Sequence, residues 1–447
     1  MNEKQHDSQS LKAGVAANSK ADVHEGHRVQ TNDATNTPPS DSKLRPSSVG
    51  NGIATSTATS AIRLTSLDVF RGFVMFLMLA EVLKLSKLIE HFPEATWLEW
   101  VKFHTTHVAW VGCSLHDLIQ PGFSFLVGAA LPFSLVKRQQ SGQSTWRLYA
   151  HAAWRSLLLI ALGIFVRSLN SPATNFTFED TLTQIGLGYF FLFVIARSPD
   201  WWAPTAIGMI LLGYWVAFAA NPPAVDFNYQ AVGVPAEWTE HQTGFASAWN
   251  KNGNLAWRFD TWFLNLFPRP EPFLFNRGGY STLNFVPTLA TMLMGLVAGR
   301  WLLSEPHTLR RLGRLAAATA IGLSLGWLLN EFGICPLVKP IWTPSFALWS
   351  GGWCFLFVLV FHLICDVWQC KSWSFPLVVI GCNCIFVYLL SWTIEGSMIS
   401  ALHRHLGTAI FEIRGPAFKD LFTGLAVLAI FWLLLFWMYR NKIFVKL

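Results

Sequence analysis

KDLFTGLAVLAIFWLLLFWMY, residues 419–439, decides the class of this chain. After its opening Lys–Asp pair the run carries no charge, over a length that matches the roughly 20 apolar residues a helix needs to cross the hydrocarbon of a bilayer. Working outward, further apolar runs of this kind lie near 68–88, 115–136, 154–169, 182–197, 202–220, 285–303, 314–330, 346–367 and 375–393. They predict an all-α polytopic membrane protein of about ten transmembrane helices. Composition agrees: hydrophobic residues make up 52% of the 447 and charged ones 13%, about half the charge of a soluble chain. The 22 Trp and 36 Phe suit lipid-facing and interfacial positions. The net charge of +7 is dispersed, so no basic patch points to nucleic acid. These balances argue against a soluble enzyme, a disordered regulator and a nucleic-acid binder.

Two stretches depart from the apolar pattern. Residues 1–61 are rich in Ser, Thr, Asn, Asp, Lys and Ala. Such a stretch buries too little apolar area to offset its ordering entropy, and reads as a disordered polar tail. The rest, 62–447, reads as the transmembrane domain, interrupted by a long polar and aromatic connection over 221–283. Loops of that length are usually functional. Its Trp238, Trp249, Trp257 and Trp262 are candidates to stack on sugar rings, with an interfacial aromatic belt as the other reading.

Positive residues fall on alternate connections. Lys137, Arg138 and Arg147 form one group, followed by Arg197, then Arg300, Arg310, Arg311 and Arg314, then Lys371, then Arg440, Lys442 and Lys446. The positive-inside rule then puts both termini in the cytoplasm. The connections at 89–113, 170–181, 221–284, 331–345 and 394–418 face outward.

The first outward connection runs into the next span as FHTTHVAWVGCSLHDLIQPGFSFLVG, residues 103–128. His104, His107, His116 and Asp117 lie there beside Trp110 and Gly112. Ionisable groups at the edge of a helix bundle are costly unless paired, which makes them functional candidates, and histidine suits proton transfer near neutral pH. The first span opens with SLDVFRG, where Asp68 and Arg71 share a helix face at its inner end. Glu81 lies ten residues beyond Arg71, about 15 Å up the same helix and toward its outer half, where it can pair with Lys84. His362 and Asp366, four apart, are expected to hydrogen-bond. The seven Cys sit mostly in apolar runs without zinc-type spacing, so no metal is expected. There is no glycine-rich phosphate loop and no GxSxG elbow. The residues alone leave two readings, a membrane enzyme using His107 or a proton-coupled transporter of a small solute.

The ordered motifs go further. SLDVFRG is followed by HVAW-x-G-x(4)-DL-x(2)-P-x-F-x-F-x-VG. Then come WRSLLLIALGIF, TLTQIGLGYFFLF, LNFVPTLATMLMGLVAGRW, KPIWTPSFALWSGGW and FPLVVIGCNCIFVYLLS. This set resembles the heparan-alpha-glucosaminide N-acetyltransferase family of transmembrane acyltransferases, including its bacterial members. The resemblance implies acetyl transfer from cytosolic acetyl-CoA, across the bilayer, to an amine or hydroxyl of an extracytoplasmic amino sugar or glycan. It places the active-site histidine at His107, as general base or transient acyl carrier. Glu81 would orient its imidazole and Asp117 would position the loop. Asp68 and Arg71 match the inner-end motif, and with Arg155 and Asn383 they are the expected acetyl-CoA contacts. Trp110, Trp342 and Ser345 are the expected acceptor contacts. An asparagine of the lysosomal enzymes falls here at Val82, beside Glu81. The polar tail stands where those enzymes carry a large domain, so heparan itself is not the expected acceptor. A multi-pass protein of the cell (inner) membrane, and a homodimer, are the remaining expectations.

Overall fold

The computed structural model describes residues 64–92 and 94–445. The polar tail lies outside the described residues. The described residues are mainly helical, in the order α1 Thr65–Leu79, α2 Leu85–Ile89, α3 Thr96–Thr105, α4 Ile119–Gln140, α5 Thr145–Ser168, α6 Thr181–Ala196, α7 Trp202–Ala219, α8 Leu255–Phe263, α9 Phe285–Ser304, α10 Thr308–Glu331, α11 Pro344–Phe361, α12 Phe375–Gly381, α13 Cys384–Thr393, α14 Glu395–Leu406 and α15 Lys419–Arg440. The β-type pairing among the described residues is an isolated antiparallel bridge between Val111 and Val338.

With their flanking turns, α4, α5, α7, α9, α10, α11 and α15 are each long and apolar enough to cross a membrane. The pair α12 and α13, bent by 66° at its break, is either an eighth, broken span or a re-entrant loop. The chain is thus a polytopic all-α membrane protein. The other two of the ten runs hold shorter helices. α6 has 16 residues. The run at 68–88 does not continue as one rod: α1 tightens into a 3₁₀ turn over Ala80–Leu83 and stops where Lys84 takes φ 46°. That left-handed residue redirects the chain into α2.

Local chemistry sets several helix starts. α6 begins where Asp180 accepts from the backbone N–H of Leu182 and Thr183, and α11 begins where Thr343 caps Phe346 ahead of Pro344. Within the bundle α4 and α9 run in close contact because neither helix has a side chain at the crossing. A Cβ on Gly128 would lie 1.8 Å from the Met292 carbonyl oxygen, and one on Gly295 would lie 1.9 Å from that of Phe125. Small residues let helix backbones approach in a medium where apolar burial gives little drive.

The two ends of the bundle differ. At one end, segments 106–118, 169–180, 220–284 and 332–343 interlock. The long segment is folded, with α8 and several 3₁₀ turns, around a core of Trp110, Tyr214, Phe218, Trp249, Val338 and Ile341. At the other end, His362 Nδ1 lies 2.9 Å from Asp366 Oδ2, and Glu305 takes Arg310 at 3.6 Å and Arg314 at 3.1 Å.

Candidate active site

The loop between α3 and α4 is pinned from two directions. Trp110, fully buried, donates its indole N–H to the Trp249 carbonyl at 3.2 Å. The Gly112 N–H donates to Leu337 O at 2.8 Å, alongside the Val111–Val338 bridge. Gly112 has φ 127°, which favours a residue without Cβ. The loop is therefore clamped between the folded long segment and the turn that precedes α11.

This clamping aims His107. Its Nδ1 lies 2.7 Å from Asp117 Oδ1. Asp117 is 1% exposed and acceptor-only as a carboxylate. Its Oδ2 accepts from the backbone N–H of Ser114 at 3.0 Å and of Val108 at 3.3 Å. Its Oδ1 also accepts from Lys339 Nζ at 3.1 Å. With donors on every side the carboxylate stays ionised, so His107 Nδ1 carries the proton. Its Nε2 makes no hydrogen bond among the described residues and is left as a lone-pair acceptor, on a ring that lines a cavity. A carboxylate fixing a tautomer so that the far nitrogen can act as base is the logic of an acid–His dyad. Burial lowers the pKa of His107. The Asp117 hydrogen bond opposes this, and the charge of Lys339 adds to the lowering. The imidazole is thus neutral, and able to take a proton, at neutral pH.

Lys339 is the residue that sequence reading missed as a site group. Its Nζ sits 3.1 Å from His107 Nδ1 as well as from Asp117. The turn KPIWT holds it: Trp342 N–H donates to Lys339 O at 2.9 Å, and Val338 N–H donates to Thr343 Oγ1 at 3.0 Å. The signal available was a lysine opening the motif KPIWTPSF on an outward connection.

Glu81 lies elsewhere than expected. Its Oε1 meets His116 Nε2 at 3.0 Å, and Asp117 occupies the place against His107 Nδ1. The rings of His107 and His116 are 4.5 Å apart, so Glu81 reaches the imidazole of His107 through a second histidine. Lys84 turns from Glu81 to Asp420, at 3.9 Å. Trp110, Trp342 and Ser345 are all buried in packing contacts and line neither cavity described below. Trp342 donates to Thr291 Oγ1 and Ser345 to the Pro336 carbonyl. Large aromatics beside polar loops read as ligand platforms in a sequence, whereas here they form the cores that hold the loops. The same holds for Trp249 of the long segment, which is 0% exposed.

His107 opens into a cavity of about 450 Å³ whose walls include Glu81, Gln120, Arg167, Glu179, Lys339 and Glu395. The long segment contributes Tyr280 to the wall, and its Asn276 hydrogen-bonds Glu179. Burial pushes the Glu179 carboxyl up to about 7, against the pull of Arg167, 3.9 Å away. Burial likewise pushes Asp260, in α8, up to about 6.

A second cavity of about 410 Å³ runs from the opposite end of the bundle. Arg71, Arg138 and Arg155 line it with no carboxylate among its wall residues, and most of the remaining wall is apolar. Arg71 holds Asp68 at 3.0 Å. Arg155 donates to the Tyr189 hydroxyl at 3.2 Å and leaves its Nε buried without a partner. Asn383 is not in the wall: it bonds Ile443 O and the Val445 N–H, tying the C-terminal segment over the break between α12 and α13. Three guanidiniums in the wall of an otherwise largely apolar cavity fit phosphates followed by an uncharged arm. Thr181 and Tyr388 line both cavities.

Among known proteins, the chain is similar to the heparan-alpha-glucosaminide N-acetyltransferase of Homo sapiens, 23% identical over 439 residues, covering 86% of this chain and 60% of that protein. It is similar to the enzyme of that name from Mus musculus, 23% identical over 372 residues, covering 74% of this chain and 53% of that protein. The chain thus spans between 53% and 60% of the length of these relatives. No family model matches the chain. It is a distant relative of these acetyltransferases.

Proposed function

We propose that the chain is a transmembrane acyltransferase that moves an acetyl group from acetyl-CoA, held in the arginine-lined cavity, to an amine or hydroxyl of a sugar or glycan in the His107 cavity. The observation that carries this is that two chemically opposite cavities share Thr181 and Tyr388 as wall residues. One suits a polyanion with an apolar arm and the other ends in a fixed base. The similarity to the human and mouse acetyltransferases supports the same chemistry. The arginine end faces the cytosol, where acetyl-CoA is made, with both termini on that side. The acceptor then docks from outside the cell membrane.

His107 Nε2 takes the proton of the acceptor nitrogen or oxygen as that atom attacks the thioester carbonyl. Asp117 keeps the proton on Nδ1 and stabilises the imidazolium that forms. Lys339 holds the carboxylate in place. Arg71, Arg138 and Arg155 bind the phosphates of the donor and leave the thioester at the junction. Direct transfer needs no covalent enzyme intermediate, because donor and acceptor share the junction.

The test is free-thiol release from acetyl-CoA by detergent-purified protein given glucosamine and related amino sugars. The wild type should release thiol only when both are present, and His107→Ala should abolish release while still binding the desulfo analogue of CoA. Solute uptake into liposomes without CoA, together with no acetyl-CoA binding, would instead establish the protein as a transporter.

A further inference from the structure

Acyl transfer needs more than a base. As the tetrahedral intermediate forms, the thioester oxygen becomes an oxyanion, and preorganised donors there are usually worth more than any other single group. The dyad does not supply them. Lys339 sits on the Nδ1 side of His107, engaged with Asp117, while the reacting atoms belong on the Nε2 side.

Thr181 and Tyr388 have the right position. Both belong to the wall of each cavity, so a carbonyl passing from one to the other lies beside them. Tyr388 stands one turn into α13, where the 66° bend after Gly381 redirects the chain. Just before the bend the backbone packs closely on α1, where a Cβ on Gly381 would lie 2.4 Å from the Asp68 carbonyl oxygen. Tyr388 is 7% exposed. The Trp392 ring lies 6.3 Å from that of Tyr388. The phenol makes no side-chain hydrogen bond among the described residues, so its proton remains to be donated. Asp180, Glu81 and Arg167 share the wall of the His107 cavity with it. Thr181 is the first residue of α6. Its neighbour Asp180 spends its carboxylate on Leu182, Thr183 and the Thr183 hydroxyl. The Thr181 hydroxyl makes no side-chain hydrogen bond among the described residues.

We infer that Tyr388, assisted by Thr181, is the oxyanion site of this protein: at the junction of the cavities their two hydroxyls donate to the carbonyl oxygen of the acetyl thioester. The assignment rests on the acyl-transfer function proposed for the chain. The acceptor amine attacks the carbonyl carbon, forming the C–N bond, and its proton passes to His107 Nε2. The carbonyl oxygen takes the negative charge under the two hydroxyls. The oxyanion then collapses, the C–S bond breaks, and the departing thiolate receives the proton from the imidazolium. The products are an N-acetylated acceptor and CoA with a free thiol, with His107 neutral again.

The experiment compares wild type, Tyr388→Phe, Thr181→Val and His107→Ala in detergent, with acetyl-CoA and glucosamine, measuring kcat, KM and desulfo-CoA binding. Tyr388→Phe keeps the ring and removes only the hydroxyl, and kcat should fall about 10²-fold. The KM for acetyl-CoA, desulfo-CoA binding and the pH of the acid limb should stay within twofold or about 0.3 pH units, changes of less than about 0.5 kcal/mol. Thr181→Val should lower kcat about tenfold with the same pattern. If Tyr388→Phe keeps kcat within threefold while His107→Ala is dead, the oxyanion assignment falls and the acyltransferase stands. A kcat loss matched by equal weakening of desulfo-CoA binding would make Tyr388 a structural residue and overturn the assignment. A wild type that neither binds acetyl-CoA nor releases thiol overturns both.

Discussion

Replacing Asp117 by asparagine probes the dyad without changing its shape. The wild-type carboxylate faces four N–H donors: His107 Nδ1 at 2.7 Å, Lys339 Nζ at 3.1 Å, and the backbone of Ser114 at 3.0 Å and Val108 at 3.3 Å. An amide can keep its carbonyl oxygen on the two backbone donors. Its NH₂ then occupies the place of Oδ1 and meets two further donors. The imidazole escapes by moving its proton to Nε2, which removes the base, and the buried Lys339 loses its counter-ion. Breaking a buried pair from one side costs about 3–5 kcal/mol. If the active tautomer must be regained at that cost, kcat falls by about 10² to 10⁴, at 1.36 kcal/mol per decade. The assay is steady-state thiol release in nanodiscs, with desulfo-CoA binding as control, because Asp117 is not in the arginine cavity. Asp117→Asn should depress kcat by at least a hundredfold with donor binding within twofold. A variant that keeps more than a tenth of wild-type kcat would refute the dyad.

Two further outcomes follow from the charges. The pKa of His107 is lowered from 6.5 by burial first and also by Lys339, so kcat/KM should hold its plateau as pH falls past 6.5 and drop only below the lowered pKa of the imidazole. Lys339→Met removes a positive neighbour, raises the pKa of His107 and moves the acid limb to higher pH; a limb shifted downward in a pH–rate profile would contradict the arrangement. Glu179 titrates at about 7 against an ordinary 4.5. Its folded form therefore favours the proton, and the stability it contributes in acid is lost as pH rises through about 7. Glu179→Gln should raise the unfolding free energy more at pH 8 than at pH 5, by at most about 3 kcal/mol. Equal shifts at the two pH values would show that Glu179 is not a buried, proton-favouring carboxyl.

The bundle was largely legible because lipid imposes a simple rule: backbone must be satisfied within each helix, so spans appear as long apolar runs. The exception is the first run, where Lys84 takes a left-handed conformation that no glycine or asparagine announces. His107 and Asp117 were legible as ionisable groups at the rim of the bundle, ten residues apart. Their mutual contact was not, and Glu81 looked the better partner because it lies toward the same end of the bundle. Lys339 joins them from 232 positions away, a distance no local pattern spans. The aromatic residues misled for a related reason. Trp110, Trp249 and Trp342 look exposed when their segments are imagined as loops, but those segments interlock and bury them. The junction at Thr181 and Tyr388 depends on two cavities approaching from opposite ends, which only the folded chain displays.

The central claim is that donor and acceptor enter from opposite faces and meet inside the bundle. Proteoliposomes of known orientation, with acetyl-labelled CoA on the Arg71–Arg155 side and glucosamine on the His107 side, test it directly. Labelled N-acetylglucosamine should accumulate on the His107 side alone, with thiol released on the other. Product formed only when both substrates share one face would contradict it.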